Sequence, residues 1–314
     1  MSAVRETSRG VRAFAPATVA NLGSGFDVLG LALFEPGDTV IARRVSGTGV
    51  RITAIHGDGG RLSADVEKNT AGIAALRTLE RAGIAAGIEL ELHKGLPLGS
   101  GLGSSGASAA AAAYAVNVLL GSPLRKAELL GPCVEAEAAV AGRHADNVAP
   151  ALLGGLILVR SLDPPDLVRL PVPEGLTVAV GTPRHEVSTR DARAALPAGV
   201  PLAQLVRSTA NLAAFVSACF SGDLGLLART MEDDVVTPAR AKLIPGCDAV
   251  IEAALAAGAL GSSISGSGPS MFALCRSARS AGEAARAMQA AFAAAGLEST
   301  VVTSPADCPG ARER

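Results

Sequence analysis

Residues 97–108 combine four glycines with four serines and run directly into an alanine-rich stretch that continues through Ala113. Glycine lets the backbone approach an anion closely, and alanine is the strongest helix former. A helix that starts at the end of this segment points its free N–H groups and the positive end of its dipole back toward the glycines. These residue types at this spacing therefore predict a site for a phosphate chain.

Two other kinds of phosphate loop do not fit this segment. No Gly-Lys-Ser/Thr follows a four-residue gap, and no acidic residue about 20 residues further on caps a second strand. The nearest lysine is Lys94, which precedes the loop. Backbone amides and the hydroxyls of Ser100, Ser104 and Ser105 must then make most of the anion contacts. The alternative is a tightly packed helix start of small residues, and the loop composition does not exclude it.

Three further segments are too polar and too rich in glycine to be explained by packing, namely residues 16–30, 142–150 and 263–270. With the phosphate loop they make a sequence that resembles the GHMP small-molecule kinases. The shared patterns, in the family's order, are Asn-Leu-Gly-x-Gly-Phe-Asp, the loop itself, His-x-Asp-Asn-Val-Ala-Pro-Ala, Pro-x-Arg-x-Lys-Leu-Ile-Pro and Ser-Gly-Ser-Gly-Pro-Ser. The resemblance extends from residue 10 to residue 303.

The resemblance implies an α+β fold with two domains. Residues 1–165 would form an N-terminal domain that contains the phosphate loop and a left-handed βαβ crossover, an exception to the usual handedness. Residues 166–314 would form a ferredoxin-like C-terminal domain. Proline-rich stretches at 163–166 and 171–175 place a boundary in the same region.

The hydrophobic pattern supports mixed secondary structure in both halves. The predicted strands are 39–42, 50–55, 88–93, 155–159, 176–180, 262–265, 271–275 and 299–302, and the predicted helices are 69–81, the stretch after the phosphate loop, 125–141, 203–220, 224–231, 249–257 and 281–295. Residues 142–150 are predicted to be a loop. Residues 304–314 show no periodicity and are predicted to be a frayed tail.

The resemblance also implies ATP as phosphoryl donor and Mg²⁺ as its metal ion. Ser105 and Glu137 would be the metal ligands, a small protein contribution of the kind that Mg²⁺ usually receives. Glu135 lies two positions from Glu137 and faces another side of a helix, so only one of them should reach the metal. The nucleotide would be bound by Asn69, near the adenine, and by Pro97, Leu98, Gly99, Ser100, Gly101, Leu102, Gly103, Ser104, Ser105, Gly106 and Ser108.

The resemblance also implies the small-molecule substrate, the amino acid homoserine, phosphorylated on its side-chain hydroxyl as a step toward threonine. A zwitterion needs an anion for its ammonium and a cation, best a guanidinium, for its carboxylate. Asn21 and Asp27 suit the first need. Arg193 and Arg240 suit the second and occupy positions that the family uses.

The remaining candidates concern the reacting groups. His144 is the one histidine inside a shared motif, and we expect it to contact the substrate. Thr189 is expected near the reacting hydroxyl or the γ-phosphoryl group. Many relatives use an aspartate as base, whereas the corresponding position here is Asn147. Catalysis could then depend on positioning, Mg²⁺ and the loop amides without a base. Asp146 could instead be the base, or it could orient the site, and the sequence leaves these possibilities open.

Composition excludes several other classes of function. A formal charge of −1, one tyrosine and no tryptophan provide neither a basic field nor a stacking platform for nucleic acid. The longest apolar segment, 107–120, is shorter than the roughly 20 residues that a bilayer requires. Five cysteines without a Cys-x-x-Cys pair, and no apolar signal core in the first six residues, predict a cytoplasmic protein. The resemblance suggests a homodimer.

The sequence leaves two alternative functions open. The chain could be another kinase of the same family, acting on mevalonate or shikimate, but those molecules carry no ammonium for Asp27 to bind. It could instead be a catalytically silent regulator that binds a ligand on the same fold. The presence of Ser105, Glu137 and the phosphate loop favours an enzyme.

Overall fold

A computed structural model describes residues 10–140 and 142–314. The first six residues, whose composition predicts no signal core, and Ala141, at the end of a predicted helix, lie outside the described residues. The strands described are β1 (Val11–Ala20), β2 (Leu29–Val45), β3 (Gly49–His56), β4 (Gly87–His93), β5 (Leu156–Leu162), β6 (Pro165–Leu170), β7 (Thr177–Pro183), β8 (Gly261–Ile264), β9 (Met271–Cys275), β10 (Ser299–Pro305) and β11 (Arg312–Glu313).

The α-helices of the same residues are α1 (Thr70–Ala82), α2 (Ser104–Leu119), α3 (Leu130–Ala138), α4 (Val148–Leu153), α5 (Thr189–Ala194), α6 (Leu202–Ser221), α7 (Leu224–Arg229), α8 (Val236–Ala241), α9 (Cys247–Ala256) and α10 (Ala278–Ala294). None of these helices is long and apolar enough to span a membrane.

The first sheet carries the phosphate loop. Its strand order is β11-β1-β2-β4-β3, and β5 extends it by pairing with β2 on one side and β6 on the other. Strands β3 and β4 are parallel and are joined through α1, which makes the βαβ unit that the resemblance implies. The other neighbouring strands in this sheet are antiparallel.

The second sheet has the order β10-β7-β9-β8 and is antiparallel throughout. Helices α5 to α9 connect its first two strands in sequence, and α10 connects its last two. Numbered within this domain, the order is fourth, first, third, second, which is the arrangement of a ferredoxin-like βαββαβ unit. The predicted α+β fold with two domains is confirmed.

Helix α2 lies in the middle of the first domain. It packs against α1, α3, β1 and β2, and Ala109, Ala110, Ala111, Ala112 and Ala113 are fully buried. A helix that is apolar on every side belongs in a core. Because its side chains are so small, the neighbouring elements approach it closely and hold its N-terminus firmly under the glycine loop.

Local signals explain which element boundaries were predicted correctly. Asn69 caps α1 through its Oδ1, which accepts a hydrogen bond from the amide of Ala71 at 3.0 Å, and Gly83 ends the helix with φ of 66°. The single helix predicted over 125–141 is wrong: a 3₁₀ turn over 126–129 precedes α3, which ends at Ala138. The predicted loop 142–150 is also partly wrong, since α4 begins at Val148.

The predicted frayed tail is wrong. Strand β10 continues to Pro305, and Ala306, Cys308 and Ala311 are buried. Strand β11 then pairs with β1, with Ala13 opposite Glu313. The tail is held by a two-residue strand and three small buried side chains, and such a short pairing produces no periodicity in the sequence.

The pairing of β11 with β1 also changes where the boundary between the two domains lies. The predicted boundary at 165/166 assigns β6 and β11 to the C-terminal domain, but both strands pair into the first sheet. The chain passes to the second sheet between β6 and β7, at the proline-rich residues 171–176. The final residues cross back to the first domain because β1 has an edge that is open to pairing.

Candidate active site

A cavity of about 240 Å³ lies where the glycine loop meets segments from both domains. Most of the residues predicted for the site line it, although they come from distant parts of the chain. They are Asn21, Asp27, Asn69, Leu98, Gly99, Ser100, Gly101, Gly103, Ser104, Ser105, Ser108, Glu137, His144, Asp146, Asn147, Thr189, Arg193 and Arg240. Pro97, Leu102 and Gly106 do not line it. Leu102 is instead buried, and its carbonyl accepts a hydrogen bond from the amide of Thr18 at 3.1 Å.

The glycine loop adopts a conformation that other residues would resist. Gly99, Gly101 and Gly103 all have positive φ, between 64° and 77°. A Cβ on Gly101 would lie 2.5 Å from the carbonyl oxygen of Ser265. Helix α2 starts immediately afterwards, at Ser104, and no side chain caps it. Its first amides thus have neither an intrahelical acceptor nor a side-chain cap, and Ser104 and Ser105, which carry two of them, line the cavity, as the anion-site prediction requires.

The second domain holds this loop from the other side. The amide of Ser270 donates to the carbonyl of Ser100 at 3.0 Å, and the hydroxyl of Ser265 donates to the carbonyl of Gly101 at 2.8 Å. The Ser-Gly-Ser-Gly-Pro-Ser motif thus positions the phosphate loop by donating to two of its carbonyls, once from an amide and once from a serine hydroxyl.

Sequence reasoning missed a buried charge network beneath the loop. Lys94 donates to the carboxylate of Asp38, to the hydroxyl of Ser108 at 2.6 Å and to the carbonyl of Ser104 at 3.1 Å. The side chains of Lys94 and Asp38 are 2% and 1% exposed. The position of Lys94 as the lysine nearest the loop was a signal for it, but Asp38, 56 positions away, gave none.

Ser105 and Glu137 meet inside the cavity, with the Ser105 hydroxyl donating to Glu137 Oε1 at 2.8 Å. Burial raises the pKa of Glu137, although the charge of His144 and the Ser105 hydrogen bond oppose that shift. Within residues 10–140 and 142–314, Glu137 Oε2 and the hydroxyl of Ser104 are buried without a hydrogen-bond partner. The side-chain oxygens of Glu137, Ser104 and Ser105 are hard donors, the kind of ligand that Mg²⁺ prefers. Glu135 instead points away and pairs with Arg77 at 3.1 Å.

At the other end of the cavity, Asp27 and Arg193 form a two-pronged ion pair, with both N–O distances at 3.1 Å. Both side chains remain more than one-third exposed. Arg240 is buried and donates to the carbonyls of Gly266 at 2.7 Å and Ala192 at 3.2 Å. Burial and the nearby Arg193 lower the pKa of Arg240.

Asn21 holds the segment that carries Asp27. Its side chain donates to the carbonyl of Gly266 at 3.1 Å and accepts from the amide of Asp27 at 3.2 Å. Asn21 and Asp27 have φ of 75° and 59°, a left-handed conformation that is rare for non-glycine residues. Such a strained turn persists only where its surroundings enforce it, as is typical of functional sites.

His144, Asp146 and Asn147 form the wall between the two ends. His144 Nδ1 lies 2.9 Å from Asp146 Oδ1, and its Nε2 is buried with no partner among the residues that the structure describes. Burial lowers the pKa of His144, but the hydrogen bond and charge of Asp146, together with the charges of Glu137 and Asp27, outweigh it, and the net shift is upward. Asn147 Oδ1 accepts from the hydroxyl of Thr18 at 2.8 Å. Thr189, the first residue of α5, is half-buried at the cavity edge.

Asn69 lines the cavity, and its side chain already makes two hydrogen bonds. Besides capping α1, it donates from Nδ2 to the carbonyl of Ser63 at 2.9 Å. A second amide hydrogen and a second oxygen lone pair remain for another partner. The position of Asn69 near the adenine stays a prediction.

A helix N-terminus behind a glycine loop, buried oxygen donors and a pair of opposite charges all face one cavity. This combination defines a phosphotransferase that acts on a small polar molecule. The chain belongs to the GHMP kinases: the family model for the N-terminal domain matches residues 69–155 and that for the C-terminal domain matches residues 215–294. Membership implies ATP as the phosphoryl donor.

Curated relatives cover nearly the whole chain. A homoserine kinase from Chlorobium phaeovibrioides is 47% identical, over 97% of this chain and 99% of its own length. A homoserine kinase from Xanthomonas campestris is 43% identical, over 97% of this chain and 94% of its own length.

Solved structures agree with the family assignment. Homoserine kinase from Cytophaga hutchinsonii has a TM-score of 0.95 and 48% identity, with 100% of this chain and 99% of that chain covered. Mevalonate kinase from L. major, solved with R-mevalonate, has a TM-score of 0.69 at 15% identity, with coverage of 98% and 100%. The second likeness shows the shared fold alone.

Proposed function

We propose that this protein is a homoserine kinase, which transfers the γ-phosphoryl group of ATP to the side-chain hydroxyl of L-homoserine in threonine biosynthesis. The observation that carries the proposal is the single cavity lined at one end by the phosphate loop and at the other by Asp27, Arg193 and Arg240. The full-length similarity to curated homoserine kinases supports the choice of substrate.

The phosphate end supplies positioning and charge. The first amides of α2 and the hydroxyl of Ser104 face the cavity, so they can donate to phosphate oxygens without first losing a protein partner. Phosphoryl transfer passes through a loose transition state, and its catalysis depends mainly on alignment and electrostatic stabilisation. A loop that is already fixed in place loses little entropy when the nucleotide binds.

Ser105 and Glu137 would hold the Mg²⁺ that accompanies the nucleotide. Bound there, the ion would neutralise charge on the phosphate oxygens. Burial disfavours the ionised form of Glu137, and a cation beside Oε2 would remove that penalty. The Glu137 carboxylate is therefore buried away from solvent, at a position where a bound cation would stabilise its ionised form.

The amino-acid end would work by exchange of partners. An exposed ion pair contributes only about 0–1 kcal/mol, so separating Asp27 from Arg193 costs little. The ammonium of homoserine would take the place of Arg193 at Asp27, and the freed guanidinium would bind the substrate carboxylate. Arg240, already anchored by two carbonyls, would add a second positive charge to that end.

We expect no general base among the residues near the reacting hydroxyl of the substrate. Asn147 is an amide and cannot accept a proton at neutral pH, and Asp146 is already bonded to His144. The upward shift in the pKa of His144 favours a protonated ring whose Nε2–H donates into the cavity. We assign His144 to substrate contact, Asp146 to orienting it, Asn147 and Thr189 to alignment of the reacting groups, and the rate enhancement to positioning.

A homodimer and a cytoplasmic location belong to the same proposal. The five cysteines are free and buried in the structure, as expected for a protein of a reducing compartment. Sedimentation equilibrium of the untagged protein would check the assembly, and a single monomeric species at micromolar concentration would contradict it.

An ADP-release assay coupled to a second enzyme tests the substrate. Homoserine, threonine, mevalonate and shikimate would be compared at equal concentration with ATP and Mg²⁺. We expect homoserine to give the highest kcat/KM. Preference for mevalonate or shikimate would indicate another kinase of the family, and no turnover with any of them would favour a silent regulator.

A matched pair of variants tests the metal assignment. Glu137→Gln and Ser105→Ala should each lower turnover about a hundredfold, because a misplaced phosphate chain is costly. Glu135→Gln removes a carboxylate two positions away that lies on the surface, and it should leave turnover unchanged. Wild-type turnover of Ser105→Ala at limiting Mg²⁺ would show that this serine does not bind the ion.

A further inference from the structure

A second cluster of ligand-bearing side chains lies outside the cavity, on the face of the first sheet away from the core, where β3 and β4 end. It consists of His56, Glu91 and His93. His56 pairs with His93 in the register of the two strands, and Glu91 lies two residues before His93 on the same face of β4. None of the three lines the cavity.

The three side chains converge on a small volume. Glu91 Oε1 lies 2.9 Å from His93 Nε2 and 3.7 Å from His56 Nε2, and one ligand atom from each residue lies within 4.8 Å of the others. The two imidazole rings stack with their centroids 4.7 Å apart. Strand pairing brings these donors together before any ion is bound.

A neighbouring residue orients the carboxylate. Arg43 Nη1 donates to Glu91 Oε2 at 2.9 Å, which leaves Oε1 directed at the two histidines. Partners that fix the orientation of a ligand in this way are a regular feature of metal sites.

We propose that His56, Glu91 and His93 bind one divalent transition-metal ion, of which Zn²⁺ is the representative. Two imidazole nitrogens, one carboxylate oxygen and a water would complete a tetrahedral set. With tetrahedral ligand bonds of about 2.0–2.2 Å the donor atoms lie about 3.3–3.6 Å apart, so Glu91 Oε1 and His93 Nε2 must separate slightly while His56 moves closer. His56 is more than half exposed and can move to do so. Nitrogen-rich donors favour Zn²⁺, Co²⁺ or Ni²⁺ over Mg²⁺, which separates this site from that of Ser105 and Glu137.

The position of the site indicates what the ion would do. His93 directly precedes Lys94, whose amide donates to the carbonyl of His56 at 2.8 Å and whose side chain lies under the phosphate loop. The ion would join the ends of β3 and β4 just before the chain enters that loop. Its effect would be to stabilise this corner of the first domain, with no part in the transfer of the phosphoryl group.

Titration of the untagged protein with Co²⁺, without nucleotide, tests the proposal. Tetrahedral Co²⁺ absorbs visible light much more strongly than the hydrated ion. We expect the absorption to saturate at one ion per chain, to be reversed by Zn²⁺ and to persist in a large excess of Mg²⁺. The double variant His56→Gln/His93→Gln should lose it, and Glu91→Gln should weaken Co²⁺ binding at least about tenfold. Zn²⁺ should raise the Tm of the native protein and not that of the double variant.

His185→Gln is the matched control, because this half-buried histidine bonds to the carbonyl of Leu243 and lies outside the cluster. It should retain the absorption. The double variant should keep the kinase activity of the native protein, which shows that it is folded. Absorption that survives in the double variant, or that disappears in Glu137→Gln, would overturn the proposal, as would the absence of any tetrahedral signal in the native protein.

Discussion

The two ends of the cavity use opposite charges in different ways. At the phosphate end, Lys94 and Asp38 are almost completely buried, and their polar atoms are bonded to backbone and to Ser108. At the amino-acid end, Asp27 and Arg193 are paired but more than one-third exposed. The first pair is fixed by its surroundings, whereas the second can separate when another zwitterion arrives.

This difference indicates that the two ends of the cavity bind their ligands in different ways. The nucleotide end is preorganised, so its groups need no rearrangement when phosphates bind. The amino-acid end holds its charges in a temporary pairing that a ligand of the same charge pattern can replace. Burial, rather than the identity of the charged residues, decides which behaviour a pair shows.

Lys94→Met should have the largest effect, because it should destabilise the phosphate end of the cavity. It leaves the buried carboxylate of Asp38 without its cation, and the free energy of unfolding should fall by about 3–5 kcal/mol. Denaturant unfolding followed by circular dichroism measures this. Lys68→Met makes the same change at an exposed lysine and should alter stability by less than about 0.5 kcal/mol. Similar values for the two variants would contradict the contrast between the ends.

The preference between two substrates tests how the amino-acid end of the cavity binds its ligand. If Asp27 binds the ammonium, homoserine should exceed 4-hydroxybutyrate in kcat/KM by at least about 10³, because the compound without an amine leaves a carboxylate without a partner. Asp27→Asn should remove most of that preference, since an amide does not require a cation. Steady-state kinetics with both compounds measures it. Equal turnover by the native protein would exclude an amino acid as the substrate.

Arg193→Ala should raise the KM for homoserine about 30- to 1000-fold and change the KM for ATP little. The reason is that a charge-assisted contact to a carboxylate contributes about 2–4 kcal/mol. Its stability should change by no more than about 1 kcal/mol, since the ion pair is exposed. Arg190→Ala, three positions earlier in α5 and exposed, is the control and should leave both constants unchanged. Equal increases for ATP and homoserine would place Arg193 at the phosphates instead.

Gly101→Ala should have the smallest effect of the four and tests how rigid the phosphate end is. The new Cβ would lie 2.5 Å from the carbonyl oxygen of Ser265. Gly47 has a similar positive φ but open space around it, so Gly47→Ala measures backbone strain without the contact. We expect Gly101→Ala to cost about 1–2 kcal/mol of stability more than Gly47→Ala. Equal losses would mean that the loop yields to the contact.

The phosphate loop, α2 and the strands around residues 50–55 and 88–93 were predictable because composition and periodicity act over short distances. That Glu137 lies beside Ser105 was implied by the family resemblance, and neither composition nor periodicity indicates it. Asp38 beneath Lys94 and Arg193 beside Asp27 were not predictable as pairs, since each contact joins residues far apart in sequence. Chain topology, which no local pattern specifies, creates both pairs.

The tail was mispredicted for a related reason. A two-residue strand carries too few residues for an alternating pattern, and Ala306, Cys308 and Ala311 are small enough to be read as a linker. What orders them is the open edge of β1, about 300 positions earlier in the chain. Helix α4 was missed because six residues are too few to show helical periodicity.

The pairing of β11 with β1 also has a consequence for biosynthesis. While the ribosome is still making the second domain, β1 has β2 on one side, and on its other side the stretch around Ala13 and Phe14 has no partner strand among the residues that the structure describes. An uncovered strand edge is a template for pairing with a second nascent chain. The first domain is therefore vulnerable to association on a polysome until residues 312–313 emerge and close that edge, even though its phosphate loop was synthesised some 200 residues earlier.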